Sequence, residues 1–184
     1  MKNEWDSAGK IIHKVKTIRC LLMNSQWRVY LQKRSKLKSQ NTGMYDKTVW
    51  WHVLAWQSRE TTLTKECAEE LGIPSSIINN DFEGGVSSID LSIIGIFKQI
   101  DHIDNFESIR LVNEQYITYP QITKMYIWYY DWPLRFVDWE VSWIEVFSKD
   151  ELLEELQSNP ERFTKDLHYM FEKYHHLIKP IEKL

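Results

Sequence analysis

Apolar and polar residues alternate along two segments near the start of the chain, residues 17–23 and 28–33. Alternation with a period of two is typical of a half-buried β-strand. The four residues between the segments, Asn24-Ser25-Gln26-Trp27, are enough for a tight turn. The pattern therefore predicts a β-hairpin, which is followed by a polar loop over residues 35–47 and a short strand at residues 48–49.

A helical pattern runs over residues 59–71 and has a well-marked end. Gly72 follows the last position of the pattern, and Pro74 stands two residues further on. Glycine readily adopts the left-handed conformation that ends a helix, and proline cannot continue one. We expect the helix to end at Leu71.

The second half of the chain contains three more strand-like segments and two helices. The strands are expected at residues 91–98, 122–130 and 141–147, after a loop within residues 77–88. Ser148 and Glu151 have the spacing of a capping box, which predicts a helix over residues 150–157, and Thr164 precedes a last helix over residues 165–177. This order of elements predicts an α/β (α+β) sandwich with a mixed sheet, in a single domain over residues 1–184.

The charge balance excludes two classes of partner. Lys and Arg number 23 and Asp and Glu number 26, so the formal net charge is −3. A general binder of nucleic acid or of anionic membranes needs a basic excess, so we expect neither partner. No segment approaches the roughly 18 apolar residues of a membrane span, and Cys20 and Cys67 predict buried thiols rather than a disulfide framework. A cytoplasmic protein is expected.

Three glutamates share one face of the predicted helix over residues 59–71. Glu66, Glu69 and Glu70 stand at positions i, i+3 and i+4, so their like charges repel one another. A hard divalent cation would compensate this repulsion, because Mg²⁺ binds a few carboxylate oxygens together with water and phosphate oxygens. A solvated acidic helix face is the alternative explanation.

The segment over residues 51–73 resembles the Nudix box, whose pattern is G-x5-E-x7-R-E-u-x-E-E-x-G-u, where u is an aliphatic residue. Five positions match in register: Glu66, Glu69, Glu70, Gly72 and Ile73. Four positions differ, namely Trp51 for the first Gly, Gln57 for the first Glu, Lys65 for the Arg and Cys67 for an aliphatic residue. Residues 31–35 resemble the family's strand ending LLQKRS, and residues 162–167 resemble a segment of the isopentenyl-diphosphate isomerase-like branch of the same superfamily.

The resemblance implies a Nudix α/β/α sandwich that hydrolyses a nucleoside diphosphate linked to another group. It assigns metal binding and catalysis to Glu66, Glu69 and Glu70, with Mg²⁺ as the ion or Mn²⁺ in its place. It places three residues beside the small-molecule diphosphate: Arg34, His52 and Lys65. Glu140 is a candidate further ligand or base, and residues 84–89 and 101–108 are expected to be substrate-selecting loops.

Two other functions stay open. A non-catalytic Nudix module that binds a nucleotide or a protein is favoured by Gln57 and Lys65, which replace a bracing Glu and Arg of the family. Isopentenyl-diphosphate isomerase is disfavoured, because Trp50 stands where its catalytic cysteine is expected and Cys67 lies elsewhere, on the helix. The aromatic strands are compatible with a homodimer, and the sequence points to no particular substrate.

Tryptophan is over-represented in this chain and glycine is under-represented. There are nine Trp but only six Gly, which is about half the usual glycine share of roughly 7%. Seven of the Trp stand in turns, in the box or at other positions where glycine is expected: Trp27, Trp50, Trp51, Trp56, Trp132, Trp139 and Trp143. We hypothesise that their codons are UGA and are read as glycine in the source organism. Indoles that pack in the core or stack on a base are the alternative.

Overall fold

The computed structural model describes residues 14–78, 86, 88–132, 134 and 141–179. Its strands are β1 (Val15–Met23), β2 (Arg28–Arg34), β3 (Tyr45–Asp46), β4 (Val49–His52), β5 (Ser75–Ile77), β6 (Gly95–Val112), β7 (Gln115–Tyr129) and β8 (Val141–Ser148). Its longer helices are α1 (Arg59–Leu71), α2 (Lys149–Ser158) and α3 (Lys165–Tyr174). None of the helices in these ranges is long and apolar enough to cross a membrane.

The strands form one mixed sheet in the order β3-β2-β1-β7-β6-β5. β1 and β7 run parallel at its centre, and β8 extends the sheet by pairing antiparallel with β2. β2 and β4 both pair with β1, β2 at Leu22 and Met23 and β4 between Thr17 and Cys20. These two strands therefore leave β1 at different points along its length.

Helices cover both faces of the sheet, because alternate side chains of a strand point in opposite directions. On one face, Ile18 and Leu22 of β1 share a buried cluster with Leu63 of α1. On the other face, Leu21 and Met23 belong to a second cluster that includes the apolar residues of α2 and α3. The predicted α/β/α sandwich with a mixed sheet is confirmed.

The local signals that begin and end the helices were predicted correctly. Gly72 has φ 67° and ends α1, and its backbone N–H donates to the carbonyl oxygen of Ala68. The capping box of Ser148 and Glu151 begins α2, and the hydroxyl of Thr164 accepts the Leu167 N–H at the start of α3. Both cysteines are buried free thiols, and burial raises the pKa of Cys67 to about 12.

The predictions were wrong in the middle of the chain. Residues 91–94 form turns rather than the start of a strand, because Leu91 is buried in the core and β6 begins only at Gly95. The substrate-selecting loop expected over residues 101–108 lies within β6, which pairs with β7 along most of its length. Half of the other expected loop, residues 84–89, lies outside the described residues, namely 84, 85 and 87. β7 begins at Gln115, and the last helix ends at Tyr174, where a 3-10 turn follows.

Gly95 lets β6 run close beside the indole of Trp128 on β7. A Cβ atom at residue 95 would lie 2.2 Å from Nε1 of Trp128, which is too close for non-bonded atoms. Trp128 is fully buried, and its ring stacks on Phe97 and Tyr130 with centroid separations of 5.2 and 6.0 Å. Trp128 is therefore a core residue whose neighbours leave room for an indole.

Trp27, in the hairpin turn between β1 and β2, has φ 63° and is 50% exposed. The left-handed conformation costs a non-glycine residue about 1–2 kcal/mol. We therefore expect Trp27→Gly to raise the free energy of unfolding by about 1 kcal/mol, measured by urea denaturation. Trp143→Gly is the matched control, because Trp143 is also exposed but lies in β8. Glycine there should lower stability by about 0.5–1 kcal/mol, so equal changes in the two variants would contradict this account.

Candidate functional site

An open cavity of about 330 Å³ lies between β2, β4 and α1. β2 contributes Gln32 and Arg34, and all four residues of β4, Val49–His52, line the cavity. α1 contributes Glu66 and Glu70. The divergence of β2 and β4 from β1 therefore creates a cleft that carries acidic groups from a helix and a basic group from a strand.

The structure brings four of the six predicted site residues to this cavity: Arg34, His52, Glu66 and Glu70. Lys65 and Glu69 do not line it. The Nζ atom of Lys65 lies 3.0 Å from a carboxylate oxygen of Glu69 and 3.9 Å from one of Glu66, and the Lys65 and Glu69 side chains are exposed. Lys65 therefore neutralises part of the acidic helix face from the solvent side.

The predicted metal set of Glu66, Glu69 and Glu70 is not assembled in the structure. Among the described residues, no group of three or more His, Cys, Asp or Glu side chains is close enough to hold a metal ion. Glu66 and Glu70 nevertheless face one cavity, and two carboxylates that leave room for water are the kind of donor set that Mg²⁺ accepts. The chemical type of these side chains therefore fits a hard divalent cation. The other candidate ligand, Glu140, lies outside the described residues.

Gln57 and Lys65, which replace the bracing Glu and Arg of the family, form no hydrogen bond with each other in the described part of the chain. The side-chain oxygen of Gln57 instead accepts a hydrogen bond of 3.2 Å from the hydroxyl of Thr62, and Lys65 is paired with Glu69. A lysine has no planar donor fork that could replace the guanidinium of an arginine here. Thr62 therefore connects the loop before α1 to the helix, and Lys65 is not involved.

Trp51 interferes with one of the acidic side chains. Its ring is buried in the cluster beneath α1, and its indole Nε1 donates a hydrogen bond of 2.8 Å to a carboxylate oxygen of Glu70. That oxygen belongs to the group that the resemblance assigns to the metal. A glycine at position 51 would remove this donor, which competes with a cation for that carboxylate oxygen.

Trp50 points to the opposite face of β4, where its ring covers a group of buried cations. The guanidinium carbon of Arg110 lies 4.7 Å from the ring centroid, and Nζ of Lys47 lies 5.8 Å from it. Trp50 and Arg34 line both the open cavity and a nearly closed space of about 10 Å³ beside these cations. The indole therefore forms the wall between the cavity and the cations.

The cations behind Trp50 belong to a buried network that sequence reasoning missed. Asp166 on α3 accepts hydrogen bonds from Nη2 of Arg19 at 2.9 Å and from the hydroxyl of Ser108 at 2.8 Å. Asp46 accepts from Nζ of Lys47 at 2.8 Å and from the hydroxyl of Thr164 at 2.7 Å. The available signal was a charged residue, Arg19, in the middle of an apolar strand.

His52 lies beside Trp50 in the cavity, and the charged form of its imidazole is disfavoured there. Burial, together with the charges of Arg110 and Arg19, lowers the pKa of His52 to about 4. His52 is therefore neutral at pH 7, and its ring lies edge-on to Trp50 with 4.9 Å between the centroids. Burial is the larger cause of this shift, and the two arginines add to it.

The buried Asp46 should make the stability of the protein depend on pH in acid. Burial raises the pKa of Asp46, but the charges of Lys47 and Arg34 and hydrogen bonds from Lys47 and Thr164 lower it to about 2. A carboxyl group whose pKa is depressed stabilises the fold above its unfolded pKa near 3.8, and this contribution is lost as the pH falls towards 2. We expect a loss of about 2 kcal/mol from this group between about pH 5 and pH 2, measured by urea denaturation. Asp46→Asn should lose less over that range, and an equal loss would contradict the assignment.

The remaining tryptophans of the glycine hypothesis differ sharply from Trp128. Four of them are between 50% and 80% exposed, namely Trp27, Trp56, Trp132 and Trp143. Trp139 lies outside the described residues. An indole that is packed in a core would be buried as Trp128 is, so core packing does not account for these four positions.

No known family model matches the sequence, and no curated protein matches it significantly. Solved structures do match. The chain is similar to DR0079 of Deinococcus radiodurans (16% identity, TM-score 0.61, covering 92% of this chain and 95% of that one). It is also similar to the MutT protein of Methanosarcina mazei Go1, with 15% identity and a TM-score of 0.57, covering 90% of this chain and 96% of that one. A third match is the Nudix domain of Shewanella oneidensis NrtR, solved in complex with ADP ribose, with 13% identity and a TM-score of 0.54, covering 95% of this chain and 94% of that one. The chain therefore has the Nudix fold.

The glycine hypothesis makes a prediction about the gene. We expect UGA codons at all seven positions and UGG at Trp128, because Trp128 is fully buried and Gly95 leaves room for its indole. Sequencing the coding DNA measures this directly, and mass spectrometry of peptides from the protein of the source organism should read glycine at the seven positions. UGG codons at those positions would contradict the hypothesis.

Proposed function

We propose that the protein is a divalent-metal-dependent hydrolase of the Nudix type, which cleaves the phosphoanhydride bond of a nucleoside diphosphate linked to another moiety. The observation that carries the proposal is the placement of Glu66 and Glu70 on the wall of the cavity that Arg34 also lines. A nucleoside diphosphate derivative is the proposed substrate class because the Nudix domain of NrtR, which has the same fold, was solved with ADP ribose. The particular substrate is left open.

In this mechanism Glu66 and Glu70 would hold Mg²⁺ or Mn²⁺, and Glu69 would join them after leaving its ion pair with Lys65. The bound ion supplies neutralisation of the diphosphate charge and lowers the pKa of water. One of these three glutamates, or a glutamate from another loop, would accept the proton of the attacking water. The chemistry depends on positioning and charge neutralisation, so no serine or cysteine nucleophile is required.

Arg34 and His52 would position the substrate. Arg34 is buried, and its Nε donates to the carbonyl oxygen of Gln40 at 3.0 Å while Nη1 lies 3.7 Å from a carboxylate oxygen of Asp46. These contacts fix the guanidinium and leave further N–H groups for phosphate oxygens. The neutral imidazole of His52 would donate a single N–H to the same substrate. Lys65 would influence the substrate only through the charge of Glu69.

A non-catalytic Nudix module is the second candidate, and the two tryptophans of β4 favour it. The hydrogen bond from Trp51 to Glu70 and the position of Trp50 on the cavity wall both hinder metal and diphosphate binding. The isomerase alternative gains no support, because Cys67 is buried against the core and burial raises its pKa. Glycine at positions 50 and 51 would favour the enzyme, and tryptophan at both positions would favour the module.

The test is hydrolysis of ADP ribose and a panel of other nucleoside diphosphate derivatives with Mg²⁺ or Mn²⁺. Both the chain as written and Trp50→Gly/Trp51→Gly are assayed for nucleotide products, with EDTA as the metal-free control. Glu66→Gln should remove activity, whereas Glu154→Gln should keep it, because Glu154 is an exposed residue of α2. Turnover by neither protein, at saturating metal, would reject the enzyme in favour of the module.

A further inference from the structure

Arg110 on β6 is a buried cation without a carboxylate partner among the described residues. Its exposed fraction is only 8%, and no salt bridge to it forms within that part of the chain. Its Nη1 donates to the side-chain oxygen of Gln40 at 2.7 Å, and its guanidinium lies against two aromatic rings, 4.7 Å from the centroid of Trp50 and 4.6 Å from that of Tyr119. Buried charges are normally paired, so this guanidinium is incompletely compensated.

The charges around Arg110 do not balance either. The described network contains four cations and two carboxylates: Arg19, Arg34, Lys47 and Arg110 against Asp46 and Asp166. Each carboxylate already has a close cation, since Asp166 pairs with Arg19 at 2.9 Å and Asp46 pairs with Lys47 at 2.8 Å. Asp46 also lies 3.7 Å from Nη1 of Arg34, so the excess positive charge lies on Arg110, which forms no ion pair among the described residues.

This excess charge lies next to the cavity rather than far from it. Arg34 and Trp50 line the open cavity and also the small space that Lys47, Arg110 and Asp166 border. Among the described residues, the Trp50 and Arg34 side chains therefore lie between the two spaces. A residue without a side chain at position 50 would connect the cavity to the guanidinium of Arg110.

We propose that Arg110, together with Arg34 and Lys47, forms an anion subsite that binds a phosphoryl group of the substrate, and that the indole of Trp50 occupies the approach to it. The proposal rests on the proposed function, since it assigns the diphosphate of that substrate to these cations. A guanidinium offers paired N–H donors that match the spacing of phosphate oxygens. The charge of Arg110 also acts on the cavity, since it adds to the burial that lowers the pKa of His52.

The competing explanation is that Arg110 is only structural, because it ties Gln40 to β6 and packs on Tyr119. In that case its removal would lower stability without changing the binding of an anion. A binding measurement therefore separates the two explanations, provided that the variants remain folded.

The experiment is titration calorimetry with methylenediphosphonate, a diphosphate analogue that is not hydrolysed, in EDTA so that no metal contributes. Trp50→Gly is expected to bind the analogue at least tenfold more tightly than the chain with Trp50. Arg110→Gln in the Trp50→Gly background should lose at least tenfold in affinity, and Arg110→Lys should recover part of it. Arg28→Gln is the matched control and should bind unchanged, because Arg28 is an exposed residue paired with Glu151. Trp50→Ala repeats the test, and circular dichroism checks the folding of every variant.

The proposal of an anion subsite and the proposal of an enzyme predict different experimental results. Glu70→Gln in the Trp50→Gly background should stop turnover but leave methylenediphosphonate binding unchanged, since the analogue is measured without metal. Binding that depends on Arg110 without any turnover would support the subsite and reject the enzyme. If the protein turns over substrate while Arg110→Gln changes neither the affinity for the analogue nor KM, the enzyme is supported and the subsite is overturned. Equal analogue binding with Trp50, Gly or Ala at position 50 would also overturn it.

Discussion

Replacing Trp50 and Trp51 together with glycine is expected to raise metal-dependent hydrolysis of a nucleoside diphosphate derivative by about 100-fold. Trp51 donates a hydrogen bond to a carboxylate oxygen of Glu70, so its removal takes away one competitor of the ion for that oxygen. Trp50 forms part of the cavity wall, so its removal enlarges the space for the substrate. The measurement is kcat/KM with ADP ribose over a range of Mg²⁺ concentrations.

The two single variants should act on different parameters. Trp51→Gly should lower the Mg²⁺ concentration at half-maximal rate, because it changes a proposed metal ligand. Trp50→Gly should mainly lower KM, because it changes the substrate space. Trp143→Gly is the control for a tryptophan outside the cavity and should change neither parameter. A double variant as inactive as the chain with both tryptophans, at saturating metal, would show that the indoles are not what limits activity.

Glu70→Gln in the glycine background is expected to lower kcat by about 10²–10³-fold. Glutamine keeps the size of the side chain but loses its charge, and a divalent ion contributes several kcal/mol to a reaction of this kind. The Mg²⁺ concentration at half-maximal rate should rise in parallel. Initial rates at several Mg²⁺ concentrations measure both effects.

Two comparisons separate a metal role for Glu70 from a general effect of charge. Glu154→Gln removes one negative charge from an exposed position on α2 and should leave kcat and the Mg²⁺ dependence unchanged. Glu69→Gln should also lower the rate if Glu69 leaves Lys65 to join the site. Full activity of Glu70→Gln would contradict the proposed role of that carboxylate and move the ion to other residues.

Local sequence signals predicted most of the helix boundaries in this fold. The end of α1 follows from Gly72, and the start of α2 follows from Ser148 and Glu151, because these signals act within one turn of the chain. The start of β6 could not be predicted in this way. Leu91 is apolar because it is buried at a turn, and a short apolar run does not distinguish a buried turn from a strand.

The candidate site was only half accessible from the sequence. Helical spacing placed Glu66, Glu69 and Glu70 on one face of α1. Which of these side chains line the cavity depends on how α1 packs on the sheet. Arg110 and Asp166 could not be found at all, because they meet only when β6 and α3 approach across the sheet. Long-range pairs of this kind carry no local pattern.

The contact between Gly95 and Trp128 constrains how this protein can change over evolution. A side chain at position 95 requires a smaller residue at position 128, because it would enter the volume that the indole at position 128 fills. Relatives with this packing should therefore covary at the two positions, carrying either glycine opposite tryptophan or a larger residue opposite a smaller one. This covariation would also distinguish tryptophans that the fold has adapted to from those that it has not.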